Sequence, residues 1–395
     1  MRVLIVHNRY RTRGGEGVVF RAEANLLRAG GLAVDTMEFD NRTLPEEMSL
    51  HERVSLAWRT VWAREAAASI RERAEAFSAD IVHFHNTFPL VSPASYRSSR
   101  SAGAAVVQTL HNYRLLCANA LLLRQDRPCE DCIGRRLPWA AVKHACYRGS
   151  RAQSAVVATM LSVHHALGTW REHVDRYVAL SDFGRVKYVE GGFPSERVVV
   201  KPNSIADPRV PRRAELNGFL FVGRLAEGKG IEVLLSAIKS VEGCRVTFVG
   251  DGPLMDLVRR RAGEDPRIKV LGRLDRDEVY RVMAGASALI FPSTWYEGCP
   301  MTIAEAYGCG LPVIGSRLGA VEEMIDDGRT GVLFEAGNRV DLARRIEWAR
   351  DNPSAIETMS RGARAEYEAK YSHEVGLARL ISIYEEAISR RRSSW

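Results

Sequence analysis

The stretch Glu297-Gly298-Cys299-Pro300-Met301-Thr302-Ile303-Ala304-Glu305 carries more information about the fold and function of this chain than any other. It places two carboxylates, Glu297 and Glu305, eight positions apart. Gly298 and Pro300 keep Glu297 off a helix, whereas Pro300 suits the first helical position and residues 301–307 supply the helix that carries Glu305. The free N–H groups and the dipole of that first turn favour an anion such as phosphate. We therefore expect both carboxylates to face one cleft at a helix N-terminus, where Glu297 would suit the hydroxyls of a sugar.

Outward from this stretch, short apolar runs alternate with helical patterns along the whole chain. Parallel sheets covered by helices on both faces show this alternation. The runs form two series separated near Lys201-Pro202-Asn203. The predicted strands are residues 3–6, 33–37, 80–84, 104–109, 176–180 and 198–200 in the first series, and 219–222, 245–249, 268–271, 288–291, 313–314 and 332–334 in the second.

Two such series predict an α/β protein with two doubly wound, Rossmann-like domains. The first domain is predicted to span residues 1–201 and the second residues 202–372, joined through the polar stretch 207–217. The last segment, 373–395, has a helical pattern and is expected to return to the first domain. Because ligands of open α/β sheets bind outside the carboxyl ends of the strands, two facing sheets predict an interdomain cleft.

Composition favours a protein with an anionic partner. The chain has 395 residues, a formal net charge of +8 and a pI near 9.2. Nucleic acid is a poor candidate because no zinc-finger spacing, RNA-binding aromatic motif or helix-turn-helix pattern accompanies the charge. A nucleotide or an acidic membrane surface remains. No apolar run reaches bilayer length and the N-terminus is too short for a signal peptide, while an odd number of cysteines, seven, suits a reducing compartment. These features predict a cytoplasmic protein, peripheral at most on the inner face of the membrane.

Residues 54–77 combine tryptophans with arginines and have the pattern of a basic amphipathic helix. Trp58, Trp62 and Ile70 lie among four arginines, and Arg53 precedes the segment. Such a helix can lie on lipid. The favoured alternative is a surface helix packed on its own sheet.

Two glycine-rich turns follow predicted strands. Arg13-Gly14-Gly15-Glu16-Gly17 gives the backbone freedom to approach an anion closely. The second turn, 222–231, places Arg224 and Lys229 five residues apart, as a clamp for a diphosphate would require. The first turn lacks the order of a dinucleotide fingerprint and of a P-loop. For the second turn taken alone, a solvated basic loop is the favoured alternative.

An insertion at about residues 112–150 of the first domain is rich in cysteine. Cys129 and Cys132 form a Cys-x-x-Cys pair, and Cys117 and Cys146 flank it. Four thiols with one such pair predict a structural zinc site, with His144 as a competing ligand. Buried reduced cysteines or a redox pair are the alternatives. The remaining cysteines, Cys244, Cys299 and Cys309, have the pattern of packing residues.

Taken together, these motifs resemble the group-1 glycosyltransferases, the retaining family-4 class with the two-domain GT-B fold. The resemblance covers almost the whole chain and is most specific in residues 219–335. The motifs that carry it are Gly14-Gly15-Glu16, Thr109-Leu110-His111, Gly223-Arg224 with Lys229-Gly230, Gly250-Asp251-Gly252-Pro253, Pro292-Ser293, the Glu297/Glu305 pair, Gly310-Leu311-Pro312-Val313, Gly319-Ala320-Val321-Glu322 and Asp327-Gly328-Arg329-Thr330-Gly331.

The resemblance implies roles for individual residues at a nucleotide-sugar site. Arg224 and Lys229 would bind the donor diphosphate, Glu305 the nucleotide ribose or phosphate side, and Glu297 the hydroxyls of the donor sugar. The backbone of Gly298, Cys299, Pro300 and Met301 would contact sugar and phosphate, and Gly15, next to Glu16, would approach the diphosphate from the first domain. His111 matches a histidine beside the donor sugar. His83 and His85 end a neighbouring strand and are expected to be structural, the alternative being that they line the acceptor side.

The implied activity is transfer of a sugar from a UDP- or GDP-sugar to a saccharide or lipid-linked acceptor, in surface polysaccharide or glycolipid assembly. The resemblance implies a retaining, hexosyltransferase-type reaction in which the leaving phosphate takes the acceptor proton. Arg224, Lys229 and the helix N-terminus oppose the charge that develops on that phosphate, so no catalytic metal or other cofactor is expected. A nucleotide-sugar 2-epimerase of the same fold and a non-catalytic nucleotide-sugar-binding scaffold are the alternatives.

Overall fold

The computed structural model describes residues 1–11, 14–45, 47–213 and 218–393. Arg13 of the first glycine-rich turn and residues 214–217 of the predicted linker lie outside the described residues. The chain divides into two compact units, which are described separately. Unit 1 holds residues 1–122, 129–201 and those from Leu377 on, and unit 2 holds residues 123–128 and 202–376.

Every predicted strand is present, most of them with slightly different ends, and a short hairpin is added within the predicted insertion. In chain order the strands are β1 (Arg2–Arg9), β2 (Ala33–Asp40), β3 (Ile81–Asn86), β4 (Ala105–Leu110), β5 (Leu123–Arg124), β6 (Arg127–Pro128), β7 (Arg176–Ala179), β8 (Val198–Val200), β9 (Phe219–Val222), β10 (Val246–Val249), β11 (Ile268–Gly272), β12 (Ala288–Phe291), β13 (Val313–Arg317) and β14 (Gly331–Glu335).

Helices connect almost all of these strands, as parallel pairing requires. They are α1 (Gly15–Ala29), α2 (Leu50–Val61), α3 (Arg64–Phe77), α4 (Ala94–Ser101), α5 (Trp139–Lys143), α6 (Arg151–Ala166), α7 (Thr169–Glu172), α8 (Asp182–Glu190), α9 (Ile231–Ser240), α10 (Met255–Glu264), α11 (Arg276–Ala284), α12 (Met301–Gly308), α13 (Ala320–Met324), α14 (Arg339–Asp351), α15 (Pro353–Glu366) and α16 (His373–Ser393). Single turns of 3₁₀-helix lie at Asn41–Thr43 and Ser195–Arg197, and a π-helical turn lies at Tyr367–Tyr371.

The sheet of unit 1 has the order β2-β1-β3-β4-β7-β8, and all its neighbouring strands run parallel. The chain moves from β1 outward to β2 and then returns to β3 on the other side of β1. A crevice opens at the carboxyl ends of two strands wherever the order reverses in this way. The first ligand-binding position expected from topology is therefore the end of β1 and β3, where α1 begins.

The sheet of unit 2 has the order β11-β10-β9-β12-β13-β14, again with parallel pairs throughout. This is the six-stranded order of a nucleotide-binding Rossmann domain. The reversal lies between β9 and β12. The glycine-rich turn 222–231 follows β9, and the segment with Glu297 follows β12, so topology brings the two predicted motifs to one crevice.

The C-terminal helix completes the core of unit 1. Leu380, Ile383 and Tyr384 of α16 are at most 1% exposed and belong to the same buried cluster as Val3 and Ile5 of β1. Burying a side chain of this size contributes about 1.5–3 kcal/mol. The end of the chain is thus a structural part of the first sheet's packing.

The basic segment 54–77 is not a single helix, contrary to the prediction. α2 begins at a capping box between Ser49 and Glu52 and ends at Val61, and its C-cap residue Trp62 has φ −147° and ψ 87°. α3 starts two residues later, so the two amphipathic patterns belong to separate helices. No helix in the described part of the chain is long and apolar enough to cross a membrane.

Helix α2 leaves an apolar stripe exposed. Leu50, Val54 and Trp58 are 79%, 61% and 61% exposed, while Thr60 and Val61 are buried. The three exposed residues are spaced by four, so they lie on one side of the helix. We call Leu50, Val54 and Trp58 the α2 stripe.

Candidate functional site

The loops that follow β9 and β12 in unit 2 are in direct backbone contact. Thr294 N–H donates to the carbonyl of Gly228 at 2.8 Å. Gly230 has φ +70°, and a Cβ added there would lie 1.8 Å from the carbonyl oxygen of Pro292. Only glycine allows this approach. The glycines of the turn therefore serve to bring its cation against the segment that carries Glu297.

Glu297 is held by three donors on one oxygen. Its Oε1 lies 2.6 Å from Nζ of Lys229, 2.9 Å from Oγ of Ser293 and 2.7 Å from Nε1 of Trp295. The side chains of Glu297 and Lys229 are 13% and 21% exposed. A carboxylate with this many donors has one orientation, so the pair is a preformed polar centre.

Arg224 lies in the same loop but is exposed and has no ion-pair partner among the residues that the structure describes. An exposed guanidinium near a preformed Lys–Glu pair is available to an anionic ligand. The predicted clamp therefore consists of one positioned cation, Lys229, and one available cation, Arg224.

Helix α12 begins at Met301, and Pro300 is its N-cap, with φ −66° and ψ 112°. The prediction that Pro300 occupies the first helical position is thus wrong by one residue. The cap contributes no side-chain hydrogen bond to the first turn. Cys299 just before it is buried and its carbonyl accepts from the Asn203 side chain at 3.2 Å. The first turn keeps backbone N–H groups that no capping side chain satisfies.

Glu305 lies in the second turn of α12 and meets an arginine that sequence analysis did not single out. Nη2 of Arg276 is 3.4 Å from Oε1 of Glu305, and Nε of Arg276 is 2.6 Å from the Tyr280 hydroxyl. Burial raises the pKa of Glu305, and Arg276 opposes that shift. Asp275 caps α11 through a capping box with Glu278 and so places Arg276 at the start of that helix.

Three residues that sequence reasoning missed or left without a role thus support the predicted carboxylates: Ser293, Trp295 and Arg276. Ser293 was part of a recognised motif, so a polar role there was readable. Trp295 and Arg276 carry no local pattern. Their roles depend on loop packing and on the neighbouring helix.

In unit 1, the glycine-rich turn leads directly into α1. Gly14 is its N-cap and Gly15 its first residue, both exposed, and a Cβ at either would meet nothing within 4 Å. Among the described residues, nothing therefore crowds the Cβ side of Gly14 or Gly15. An anion could therefore approach the backbone of Gly15.

Glu16, predicted to contact substrate together with Gly15, has a hydrogen-bond partner within unit 1. The Asn112 side chain donates to its Oε1, and its Oε2 is buried without a hydrogen-bond partner among the described residues. Burial raises the pKa of Glu16 to about 7, against the opposing effects of Asn112 and Arg114. The residue links α1 to the segment that follows β4, and its contact with substrate stays a prediction.

His111 directly follows β4, as predicted, and is partly buried. Its Nε2 lies 2.9 Å from Nδ1 of His85, which is 2% exposed. His83 is fully buried and contacts Tyr384 and Thr109 through its two ring nitrogens at 2.8 Å and 2.7 Å. Burial lowers the pKa of His83 and of His111 well below the usual range, with His85 adding to both shifts. His111 is therefore neutral at physiological pH.

The four cysteines of the insertion converge without forming a compact metal site. Burial raises the pKa of Cys132 to about 12, and the nearby thiols of Cys117, Cys146 and Cys129 add to the shift. The Cys117 thiol donates to the Asn119 side chain at 3.0 Å. Thiolates on one zinc ion lie about 3.8 Å apart. Among the described residues, no three of these sulfurs lie within 4.8 Å of one another.

The donor type fits zinc while the spacing in this conformation does not, so the zinc site stays a prediction. His144, the competing ligand, is exposed. The cysteines predicted to pack, Cys244, Cys299 and Cys309, are 1%, 8% and 3% exposed.

Residues 217–352 match the model of the family described as glycosyl transferases group 1. An uncharacterized glycosyltransferase of Methanocaldococcus jannaschii is 31% identical over 192 residues, which is 48% of this chain and 54% of that protein. A phosphatidyl-myo-inositol mannosyltransferase of Mycobacterium leprae is 27% identical over 253 residues, covering 61% of this chain and 66% of that protein. The matches thus span about half to two thirds of these relatives.

Solved structures match the chain along almost its full length. HepE from Anabaena, solved in complex with UDP, superposes with a TM-score of 0.68 at 16% identity and covers 97% of this chain and 99% of its own. Sucrose-phosphate synthase from Thermosynechococcus elongatus superposes with a TM-score of 0.70 at 16% identity and covers 98% and 100%. At this identity the likeness establishes the fold, which is GT-B.

We predict that Glu16→Gln flattens the pH dependence of stability. The folded pKa of about 7 exceeds the ordinary value of 4.5, so between these pH values the folded protein keeps a proton that the unfolded chain releases. The neutral carboxyl therefore makes its full contribution to the free energy of unfolding below pH 4.5. At most about 3 kcal/mol of that contribution is lost as the pH rises toward 7. Thermal melts at pH 5, 6 and 7 measure this, with exposed Glu72→Gln as the control. Equal slopes for wild type and Glu16→Gln would contradict it.

We also predict about one zinc ion per chain when the protein is expressed with zinc and purified without chelator. Elemental analysis measures it. Cys132→Ser should lose the zinc, and Cys244→Ser, whose thiol lies in the core of unit 2, should retain it. Zinc-free wild-type protein, or equal zinc in both variants, would show that the four cysteines are ordinary thiols.

Proposed function

We propose, from the premise that residues 217–352 form a group 1 glycosyl transferase domain within a GT-B fold, that this chain moves a sugar from a nucleoside-diphosphate sugar to an acceptor. The observation that carries the proposal is the preformed Lys229–Glu297 pair at the strand-order reversal of unit 2. It places a cation for phosphate and a carboxylate for sugar hydroxyls side by side, with the exposed Arg224 in the same loop.

The diphosphate is assigned to Arg224, Lys229 and the first turn of α12. Breaking the bond between sugar and nucleoside diphosphate leaves negative charge on the phosphate and develops positive charge on the sugar ring. Two cations and unsatisfied backbone N–H groups oppose the phosphate charge. Positioned charge of this kind is usually the largest catalytic effect, and on this basis we propose a metal-independent reaction.

The sugar and the nucleotide are assigned to the two carboxylates. Glu297 offers oxygen acceptors to the sugar hydroxyls, and the backbone from Gly298 to Met301 lies beside it. Glu305 would receive the ribose, with Arg276 fixing its carboxylate at 3.4 Å. For Gly15 and His111 of unit 1 we keep the roles that the family resemblance implies, near the diphosphate and the donor sugar. Retention of configuration, with the leaving phosphate taking the acceptor proton, is likewise proposed on the resemblance.

Lys229 has a second function when no donor is bound. Its ammonium neutralises Glu297 at 2.6 Å, and its Nζ lies 5.0 Å from the Trp295 ring centroid. A bound diphosphate would contact a lysine that Glu297 already holds in place. A lysine free in solvent would first have to be ordered. Pre-ordering the cation in this way lowers the entropy cost of binding the donor.

The donor nucleotide is UDP or GDP, and UDP is the first to test because HepE has been solved with UDP and with UDP-glucose. We propose a saccharide or lipid-linked acceptor and a role in surface polysaccharide or glycolipid assembly in the cytoplasm. The mannosyltransferase relative from Mycobacterium leprae, named for phosphatidyl-myo-inositol, supports a lipid-linked acceptor.

We further propose that unit 1 docks on the inner face of the membrane through the α2 stripe. Three large apolar side chains are exposed on one side of α2, and Arg53 and Arg59 on the same helix are exposed as well. Apolar insertion together with basic residues is the combination that binds anionic lipid surfaces.

Two other functions remain testable in the same fold. A nucleotide-sugar 2-epimerase would convert its donor without forming a transfer product. A non-catalytic scaffold would bind the nucleotide sugar without turnover. The pairing of Lys229 and Glu297 favours an enzyme over the scaffold, because catalysis requires both charges to be positioned.

The donor assignment predicts metal-independent nucleotide binding that depends on Arg224. In calorimetric titrations with UDP, GDP and their sugar conjugates, with chelator present, one nucleotide should bind and Arg224→Ala should weaken it about 10- to 100-fold. Arg344→Ala, an exposed arginine on α14, is the matched control and should bind as wild type does.

Product analysis with the bound donor separates the functions. A new glycoside with released nucleoside diphosphate supports the transferase. An epimerised donor, or binding without turnover, supports an alternative. Equal affinity in Arg224→Ala and wild type would remove the diphosphate assignment.

The membrane proposal predicts sedimentation with vesicles of phosphatidylcholine and phosphatidylglycerol, and weaker sedimentation at high salt. Trp58→Ser should lower the bound fraction about tenfold, since a buried tryptophan contributes more than 1.4 kcal/mol. Trp348→Ser, which alters an exposed tryptophan of unit 2, is the control. Wild type and Trp58→Ser that sediment alike would contradict docking through α2.

A further inference from the structure

A chain of buried polar contacts in unit 1 begins at Lys201 and ends at His111. Nζ of Lys201 lies 2.5 Å from Oε1 of Glu23, and Oε2 of Glu23 lies 3.3 Å from Nε2 of His85. Nδ1 of His85 lies 2.9 Å from Nε2 of His111. Lys201, Glu23 and His85 are 2%, 5% and 2% exposed. Water does not compete for these contacts, so each protonation state depends on its neighbour.

The contact with Lys201 keeps the Glu23 side chain ionised. Burial by itself would raise the pKa of Glu23, but the Lys201 ammonium and His85 outweigh burial and hold that pKa well below its usual range. An ionised carboxylate only accepts hydrogen bonds. Oε2 of Glu23 and Nε2 of His85 make no hydrogen bond of standard geometry with any described residue, and the two atoms lie 3.3 Å apart. The ionised carboxylate at that distance favours a proton on Nε2 of His85.

The protonation of His111 follows from that of His85. A neutral imidazole has one N–H and one lone pair. In the neutral form of His85, the proton on Nε2 leaves the lone pair of Nδ1 facing Nε2 of His111. His111 must then carry its own proton on Nε2, and its Nδ1 keeps a lone pair.

The same cluster could suggest a metal site, since ligand atoms of Glu23, His83 and His85 lie within 4.8 Å of one another. Two observations argue against it. Both ring nitrogens of His83 already have partners, in Tyr384 and Thr109. The ammonium of Lys201 already neutralises the Glu23 carboxylate at 2.5 Å. The cluster is better described as a chain of buried polar contacts.

A buried ion pair is weak evidence for stability, because the cost of removing two charges from water offsets their attraction. Lys201 and Glu23 lie in different elements, after β8 and within α1. Their contact does more than join these elements, because it directs the Glu23 carboxylate toward His85 at the carboxyl end of β3. Carboxylate–histidine contacts of this kind set ring orientation and tautomer in other sites.

We propose that Lys201, Glu23 and His85 are positioning residues that hold His111 in the tautomer whose Nδ1 accepts a hydrogen bond from a substrate hydroxyl. This inference rests on the proposed sugar transfer for the identity of the hydroxyl. A sugar hydroxyl can donate to that nitrogen, whereas the opposite tautomer would present an N–H and require an acceptor.

The tautomer can be measured directly by NMR of protein selectively labelled with ¹⁵N-histidine. Long-range ¹H–¹⁵N correlation distinguishes the two ring nitrogens of each neutral histidine, and His111→Asn assigns the signal among the ten histidines. Wild-type His111 should be protonated on Nε2 and not on Nδ1. A proton on Nδ1 of His111, or a doubly protonated His85, would overturn the proposal whatever the variants do.

Glu23→Gln should reverse the tautomer. With the amide oxygen on Lys201, the amide N–H donates to Nε2 of His85, which then carries its proton on Nδ1 and donates to His111. His111 should change to the Nδ1-protonated form. Tyr384→Phe removes a hydroxyl from His83 beside the chain and should leave His111 as in wild type. If Tyr384→Phe changed the tautomer of His111 and folded Glu23→Gln did not, control of His111 by Glu23 through His85 would be contradicted.

Kinetics separates this inference from the proposed function. Glu23→Gln should lower kcat for sugar transfer about tenfold or more, because a hydrogen-bond acceptor at the sugar becomes a donor. Binding of the nucleoside diphosphate alone, which lacks the sugar, should stay unchanged. If wild-type His111 has the expected tautomer but the protein transfers no sugar, the proposed function is overturned and the proposed control of the tautomer stands. A reversed tautomer with unchanged kcat would overturn the substrate contact of His111.

Discussion

The reversal of strand order in each parallel sheet is the constraint on which the remaining features depend. In unit 2 it lies between β9 and β12 and brings the loop of Lys229 against the loop of Glu297. In unit 1 it lies between β1 and β3, beside the N-terminus of α1 and the histidines that end β3 and β4. Parallel strands end on one edge, so polar residues placed after them converge without a dedicated scaffold. The glycines of the loop after β9 allow this convergence to reach backbone contact.

The two crevices differ in the charge and burial of their side chains. In unit 2 a carboxylate and a lysine remain partly exposed, and an arginine of the same loop is fully available to an anion. In unit 1 burial lowers the pKa of His83 and His111. The buried Lys201 ammonium and Glu23 carboxylate neutralise each other. Charged side chains in unit 2 and neutral histidines in unit 1 are thus held by different structural elements.

Several interpretations from sequence changed once neighbouring elements were known. The basic amphipathic pattern of residues 54–77 belongs to two helices that break at Trp62, because a hydrophobic period alone does not show where a helix ends. Glu16 looked like part of an anion-binding turn, yet Asn112 holds its side chain inside unit 1. The four cysteines of the insertion converge, but their spacing leaves the zinc site as a prediction. In each case the local pattern exists, but it did not by itself give the helix ends, the hydrogen-bond partner or the sulfur spacing.

The sequence by itself determined the class of fold, the order of the strands along the chain and the positions of Glu297, Glu305, Arg224, Lys229 and His111 at strand ends or helix starts. These properties follow from hydrophobic period, glycine and proline placement and short-range spacing, which act over a few residues. Only the tertiary structure decided that Trp295 and Ser293 share the oxygen of Glu297 with Lys229, that Arg276 supports Glu305, and that Lys201 and Glu23 act on His85. Lys201 and Glu23 are 178 positions apart, and no local pattern records a contact of that separation. Such contacts depend on how sheets and helices pack, so they become visible only when the fold is complete.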